Sequence, residues 1–125
     1  MCLEKFLGKE GMKAIHGIVA NTSRVDEQDH WHITWVDDTP FGHDKAQTIR
    51  NHLGQLPSRE QVKKTFYFGD GISDISAGRT CDVLFAKAGK DLATWCKKEQ
   101  QSCILWHDFA DIKEEVDRII QADAK

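Results

Sequence analysis

Phe66-Tyr67-Phe68-Gly69-Asp70-Gly71-Ile72-Ser73-Asp74 is the stretch that decides how this chain is read. Thr65 to Phe68 forms a short β-prone run, which stops at an acidic, glycine-punctuated turn. A helix is expected straight afterwards, from Ser73 to Arg79. Downstream the pattern repeats. Asp82-Val83-Leu84-Phe85-Ala86 reads as a strand, Asp91 to Gln100 as a helix with Leu92, Trp95 and Cys96 inward, and Cys103-Ile104-Leu105-Trp106 as another strand. Phe109, Ile112, Val116, Ile119 and Ile120 then make a helical stripe. Short apolar strands alternating with amphipathic helices mark an α/β fold with a mainly parallel sheet.

Upstream, Asp44 can cap a helix whose apolar positions are Ala46, Ile49, Leu53 and Leu56, with Pro57 just beyond its end. The polar stretch from Pro57 to Lys64 is read as a connecting loop. Trp31, Ile33 and Trp35 alternate with His30, His32 and Thr34, so a β-hairpin is expected around the loop from Asp26 to Asp29. Its tryptophan-rich face is expected to pack inward. Ala14-Ile15 and Gly17-Ile18-Val19-Ala20 read as a buried strand, and Leu3, Phe6 and Leu7 as a short helix ended by Gly8. The expectation is one α/β domain over residues 1–125.

Composition narrows the function. A length of 125 residues suits one ordinary domain with one core. Seventeen basic against twenty acidic residues give a net charge of -3, so binding to nucleic acid through bulk charge is not expected. No apolar run approaches the length of a membrane span, and the mean hydropathy is -0.52. The first residues are charged and lack an apolar signal core, so a cytoplasmic protein is expected. Cys2, Cys81, Cys96 and Cys103 contain no CxxC pair and are expected to be reduced and partly buried.

The chemistry gathers where the strand from Thr65 to Phe68 ends. Ligands of open α/β sheets bind outside the carboxyl ends of the strands, where Asp70 would lie, with Asp74 about one helical turn on. Gly69 and Gly71 would let the backbone bend tightly and let a ligand approach closely. Two carboxylates so placed suit Mg²⁺, which takes few carboxylates, several waters and a substrate phosphate. The helix N-terminus beside them favours an anion. The plain alternative is that Asp70 shapes a turn and Asp74 helps to cap a helix. Lys45 stands at a helix start, where a cation opposes the dipole. It is either an exposed lysine or the partner of a phosphate or a catalytic carboxylate. His30 and His32 share a strand face, but no third metal ligand is evident, so they read as exposed hairpin residues.

Several segments together carry a resemblance. They are Gly69-Asp70-Gly71-Ile72-Ser73-Asp74, Gly42-His43-Asp44-Lys45, Ala77-Gly78-Arg79, Asp82 to Lys87, and, near the start, Leu3 to Gly8 and Ile18 to Asn21. The chain resembles the haloacid dehalogenase-like hydrolases, specifically their phosphoserine-phosphatase-like branch. The resemblance implies a partial Rossmann-like core. Asp70 would then be a Mg²⁺ ligand, and Asp74 a second acidic residue that binds or orients the metal. Gly69, Gly71 and Ser73 would contribute to the same cofactor site. Lys45 would neutralise charge between nucleophile and phosphoryl group. The implied reaction is hydrolysis of a small phosphorylated metabolite through an aspartyl-phosphate.

The family's nucleophile lies in an Asp-x-Asp-x-Thr/Val motif that this sequence does not show. Asp37-Asp38-Thr39 is the nearest candidate, but adjacent aspartates in an extended chain point to opposite faces. The chain is therefore similar to the C-terminal half of such a phosphatase. Two readings follow: a phosphatase lacking part of its machinery, or a non-catalytic pseudophosphatase that binds metal, phosphate or a protein. Strands missing from the sheet would leave an edge open, so a homodimer or a complementing N-terminal chain is expected.

Overall fold

The computed structural model describes residues 2–40, 42–56, 58, 62 and 64–124. The chain divides into two compact units, residues 1–43 and 44–125.

In the first unit, helix α1 (Cys2–Met12) bends at Gly8, whose φ of 67° and ψ of 177° leave the helical region. Glycine tolerates that φ at no steric cost. The first helix therefore stops at Gly8 as expected, and a second short helix runs on from it to Met12. The expected strand between Ala14 and Ala20 does not form. Ile15, Ile18 and Val19 are exposed, and none of these residues pairs with a strand. A strand persists only by pairing, and this apolar run pairs with none of the described strands.

The hairpin is present. Strands β1 (Thr22–Val25) and β2 (Trp31–Thr34) pair antiparallel, with Thr22 opposite Thr34 and Val25 opposite Trp31. Asp26 closes the loop by accepting from the amides of Gln28 (2.9 Å) and His30 (3.0 Å). The tryptophan face does not pack inward as expected. Trp31 is 73% exposed and Trp35 57%, because a two-stranded ribbon has no second layer of its own. Trp35 does lie against Gly42, at φ 67°, where a Cβ would fall 2.1 Å from the indole ring.

The second unit begins with α2 (Lys45–Gln55). Asp44 caps it by accepting from the Gln47 amide at 3.0 Å, and the helix stops at Leu56, whose extended backbone suits a residue before proline. The expected loop from Pro57 to Lys64 falls largely outside the described residues. Strand β3 (Phe66–Gly69) runs through a 3₁₀ turn at Ile72–Asp74 into α3 (Ile75–Thr80). β4 (Val83–Lys87), α4 (Asp91–Lys98), β5 (Ile104–Trp106) and α5 (Phe109–Asp123) follow. The strands form a parallel sheet in the order β3-β4-β5, with Gly69 beside Ala86 and Lys87 beside Trp106.

β4 is buried on both faces, as its unbroken apolar run foretells. Leu84 and Ala86 pack with Leu92 and Cys96 of α4, while Phe85 meets the rings of Phe66 and Phe68. Asp82 ties the starts of β3 and β4 together, accepting from the Thr65 amide (2.7 Å) and hydroxyl (2.8 Å). This is the expected α/β architecture, a short parallel sheet with helices plus a hairpin. Among the described residues, no helix is long and apolar enough to cross a membrane.

Candidate functional site

β3 delivers Asp70 to the carboxyl edge of the sheet, and the 3₁₀ turn then folds Asp74 back under the loop. Its first bond is backbone to backbone, from the Asp74 amide to the Gly71 carbonyl at 3.1 Å. The Asp74 side chain is 6% exposed, yet each of its oxygens accepts two hydrogen bonds. Oδ2 takes the amides of Asp70 (3.0 Å) and Gly71 (3.1 Å). Oδ1 takes the Lys45 ammonium (2.6 Å) and the Tyr67 hydroxyl (2.7 Å). Buried charge is tolerated only when it is paired and hydrogen-bonded, and this carboxylate is both.

Its ionisation reflects that balance. Burial works to raise the Asp74 pKa, but Lys45, Tyr67 and the two amides outweigh it and hold the group below the usual carboxylate range. Tyr67 is pushed well above the usual phenol range, first by burial, then by its hydrogen bond to Asp74 and by that residue's charge. At neutral pH Asp74 is therefore a carboxylate and Tyr67 a neutral phenol.

The glycines play parts different from those expected. Neither Gly69 nor Gly71 has a positive φ, so neither is there to permit a tight bend. A Cβ on Gly69 would lie 2.8 Å from Cβ, Cγ and Oδ2 of Asp74, so glycine is required there by the carboxylate packed over it. A Cβ on Gly71 would meet nothing closer than 3.9 Å.

Lys45 and Asp74, which are 29 positions apart, are thus brought together as an ion pair. α2 packs against α3, and this places Lys45 beside the turn. Asp70 is exposed. Its carbonyl accepts from the Leu92 amide in the first turn of α4 at 3.0 Å, and among the described residues no donor engages its carboxylate. Ser73 is exposed and makes no side-chain hydrogen bond among the described residues. Tyr67 is the member of the knot that the sequence reading missed. A signal was there: Tyr67 shares a strand face with Gly69, and a buried phenol needs a partner for its hydroxyl.

Elsewhere, Asp37 is a turn former. It accepts from the amide (3.0 Å) and the hydroxyl of Thr39, while the Gly42 carbonyl accepts from the amides of Val36 and Asp37. His32 Nε2 lies 2.7 Å and His30 Nδ1 3.5 Å from the same Asp26 oxygen. Among the described residues, no group of three or more His, Cys, Asp or Glu is placed to hold a metal ion. A cleft of about 450 Å³, lined in part by Lys64, Arg79, Cys81, Asp82 and Cys103, lies at the amino ends of β4 and β5, opposite the edge that carries Asp70.

Two curated proteins align over nearly all of this chain. Polyol phosphate phosphatase PYP1 of Saccharomyces cerevisiae is 41% identical over 116 residues, covering 90% of this chain and 46% of that protein. Pdp3-interacting factor 1 of Schizosaccharomyces pombe is 40% identical over 116 residues, covering 93% of this chain and 49% of that protein. The chain spans about half the length of the curated relatives it matches. No family model matches it, and no solved structure does.

Proposed function

We propose that the chain carries the metal- and phosphate-binding half of a phosphomonoester hydrolase site of haloacid dehalogenase type. The observation that carries this reading is the knot at Asp74, which fixes the Asp70 loop and the Lys45 ammonium at the carboxyl edge of a parallel sheet. Mg²⁺ is the cofactor that suits the donor set. It binds through one or two carboxylates plus substrate phosphate, and the exposed, unengaged carboxylate of Asp70 supplies one. Bound there, the ion would offset phosphoryl charge.

The remaining roles fall to this chain's own groups. Asp74, with four donors on its two oxygens, orients the loop instead of coordinating directly. An ammonium has three N–H donors, and Asp74 takes one from Lys45, which leaves others for a phosphoryl oxygen. Leu92 restrains the backbone of Asp70. We assign the nucleophile to the region of the relatives that this chain does not cover, since Asp37 is spent on a turn and no Asp-x-Asp pair occurs. The relative named as a polyol phosphate phosphatase supports a small phosphomonoester as substrate class.

A second reading is a non-catalytic module using the same pocket for binding, and the relative named as an interacting factor favours it. One experiment separates the two. The purified chain and its Asp70→Asn variant are titrated with Mg²⁺ and orthophosphate by calorimetry, then assayed on an aryl phosphate. Mg²⁺-dependent turnover that appears when the uncovered half of polyol phosphate phosphatase PYP1 is added, and that Asp70→Asn abolishes, supports the hydrolase. Binding that Asp70→Asn weakens, with no turnover even when that half is added, supports the module. Neither binding nor turnover refutes both.

A further inference from the structure

Cys96 and Cys103 stand apart from the site above. Cys96 lies in the last turns of α4, 1% exposed, in the buried cluster with Leu84, Ala86 and Leu92. Cys103 stands just before β5, half-buried, and packs against that cluster. A helix-stop motif brings them together. After α4 the Gln100 backbone turns left-handed at φ 54°, and the Gln101 amide donates back to the Cys96 carbonyl at 2.9 Å. This six-to-one bond with a left-handed residue is the Schellman arrangement. It reverses the chain so that β5 starts beside the helix it has just left. Both cysteines thus belong to one packed cluster, and burial pushes the Cys96 thiol up to about 11. Both are free thiols.

Access is one-sided. Cys103 lines the cleft of about 450 Å³ shared with Arg79 and Cys81, and also a second cleft of about 490 Å³ bounded by Thr94, Lys97 and Leu105. A small oxidant therefore reaches Cys103 and not Cys96. We propose that Cys103 and Cys96 are a peroxide-oxidised pair that closes into an intramolecular disulfide. The peroxide transfers one oxygen to the Cys103 sulfur, giving a sulfenic acid and releasing the alcohol or water. Cys96 sulfur then attacks the sulfenic sulfur, its proton leaves with the hydroxyl as water, and the S–S bond forms. Two thiols are oxidised by two electrons and one peroxide is reduced. Burial disfavours the Cys96 thiolate, whereas Cys103 is reached from the clefts. The bridge pins the carboxyl end of α4, the helix whose first turn holds the Asp70 carbonyl.

The test is treatment of the intact, folded chain with hydrogen peroxide, followed by thiol counting and peptide mapping. Of the four free thiols, two are expected to disappear and to return on reduction with dithiothreitol. Lys97 and Lys98 put Cys96 and Cys103 on different tryptic peptides, so the linked pair has its own mass. Cys103→Ser is expected to leave Cys96 reduced over the same interval, and Cys81→Ser to leave the yield of linked peptide unchanged. A bridge between Cys81 and Cys103, bridges only between chains, or four surviving thiols would overturn the proposal. So would a Cys103 that stops at the sulfenic or sulfinic stage. The unsubstituted chain already yields the linkage map, so no outcome depends on a variant that fails to fold.

Discussion

Replacing Asp74 by asparagine changes one atom and removes the charge. The carboxylate serves four donors, two on each oxygen. A carboxamide has one oxygen and one NH₂, so it satisfies only one pair. The two amides of Asp70 and Gly71 are fixed in the loop, and the carboxamide oxygen therefore turns toward them. The NH₂ then faces Lys45 and Tyr67. Tyr67 recovers by rotating its hydroxyl to accept. Lys45 cannot accept, and with a side chain 38% exposed it swings to water. The net loss is one charge-assisted contact, about 2 kcal/mol once discounted for the exposure of Lys45. Asp74→Ala goes further, stranding the two amides and the phenol in a partly dry loop, for about 4 kcal/mol.

The same comparison has a pH signature. The Asp74 pKa is depressed in the folded chain, so its contribution is fully present above the ordinary carboxylate value of 3.8 and fades as pH falls through the lower folded value. Urea unfolding of the parent and Asp74→Asn at pH 7 should differ by about 2 kcal/mol, a gap that narrows below pH 4 as the parent carboxylate takes up its proton. Equal stability at pH 7, or a gap that holds constant into acid, would refute the idea that charge at Asp74 organises the loop.

Gly69→Ala should cost about 2 kcal/mol, because its methyl must displace Asp74 from 2.8 Å, whereas Gly71→Ala should be near neutral. Equal melting points for the two variants would count against the packing. Tyr67→Phe should cost about 1 kcal/mol and move the acid unfolding of the chain upward in pH, since one donor that depresses Asp74 is lost. An unchanged acid limb in circular dichroism would mean that the hydroxyl does not matter. Trp31 and Trp35 should be quenched readily by iodide and Trp95 and Trp106 poorly, so single Trp→Phe variants should sort into two groups. Four equally shielded indoles would mean that a second copy or another partner covers the hairpin face.

What was legible in the sequence was whatever is decided locally. The parallel strands declare themselves as short apolar runs, because β4 is covered on both faces within the second unit. The Asp44 cap, the stop before Pro57 and the α5 stripe are likewise set by near neighbours. Burial is not local. The alternation of Trp31, Ile33 and Trp35 correctly announces a strand with one apolar face, but says nothing of what covers it. The run from Ala14 to Ala20 shows the same limit more sharply, since apolar character invites a strand and pairing alone makes one.

The candidate site divides along the same line. Asp70 and Asp74 stand out because a strand, a glycine turn and a helix start in nine residues, and that local order already puts a carboxylate at a sheet edge. By its own position Lys45 was visible only as an anomaly, a cation opposing a helix dipole, and the family resemblance gave it a role without naming its partner, which lies 29 positions away. Gly69 looked like the residue of a tight bend and is a gap cut for Asp74. Tyr67 looked like one more aromatic in a core strand, yet its hydroxyl ties that strand to the carboxylate that fixes the loop. In each case the chemistry of one residue was set by a partner that only folding brings within reach. A side chain whose local role is mildly unfavourable is then the better signal of a site than one that fits its element well.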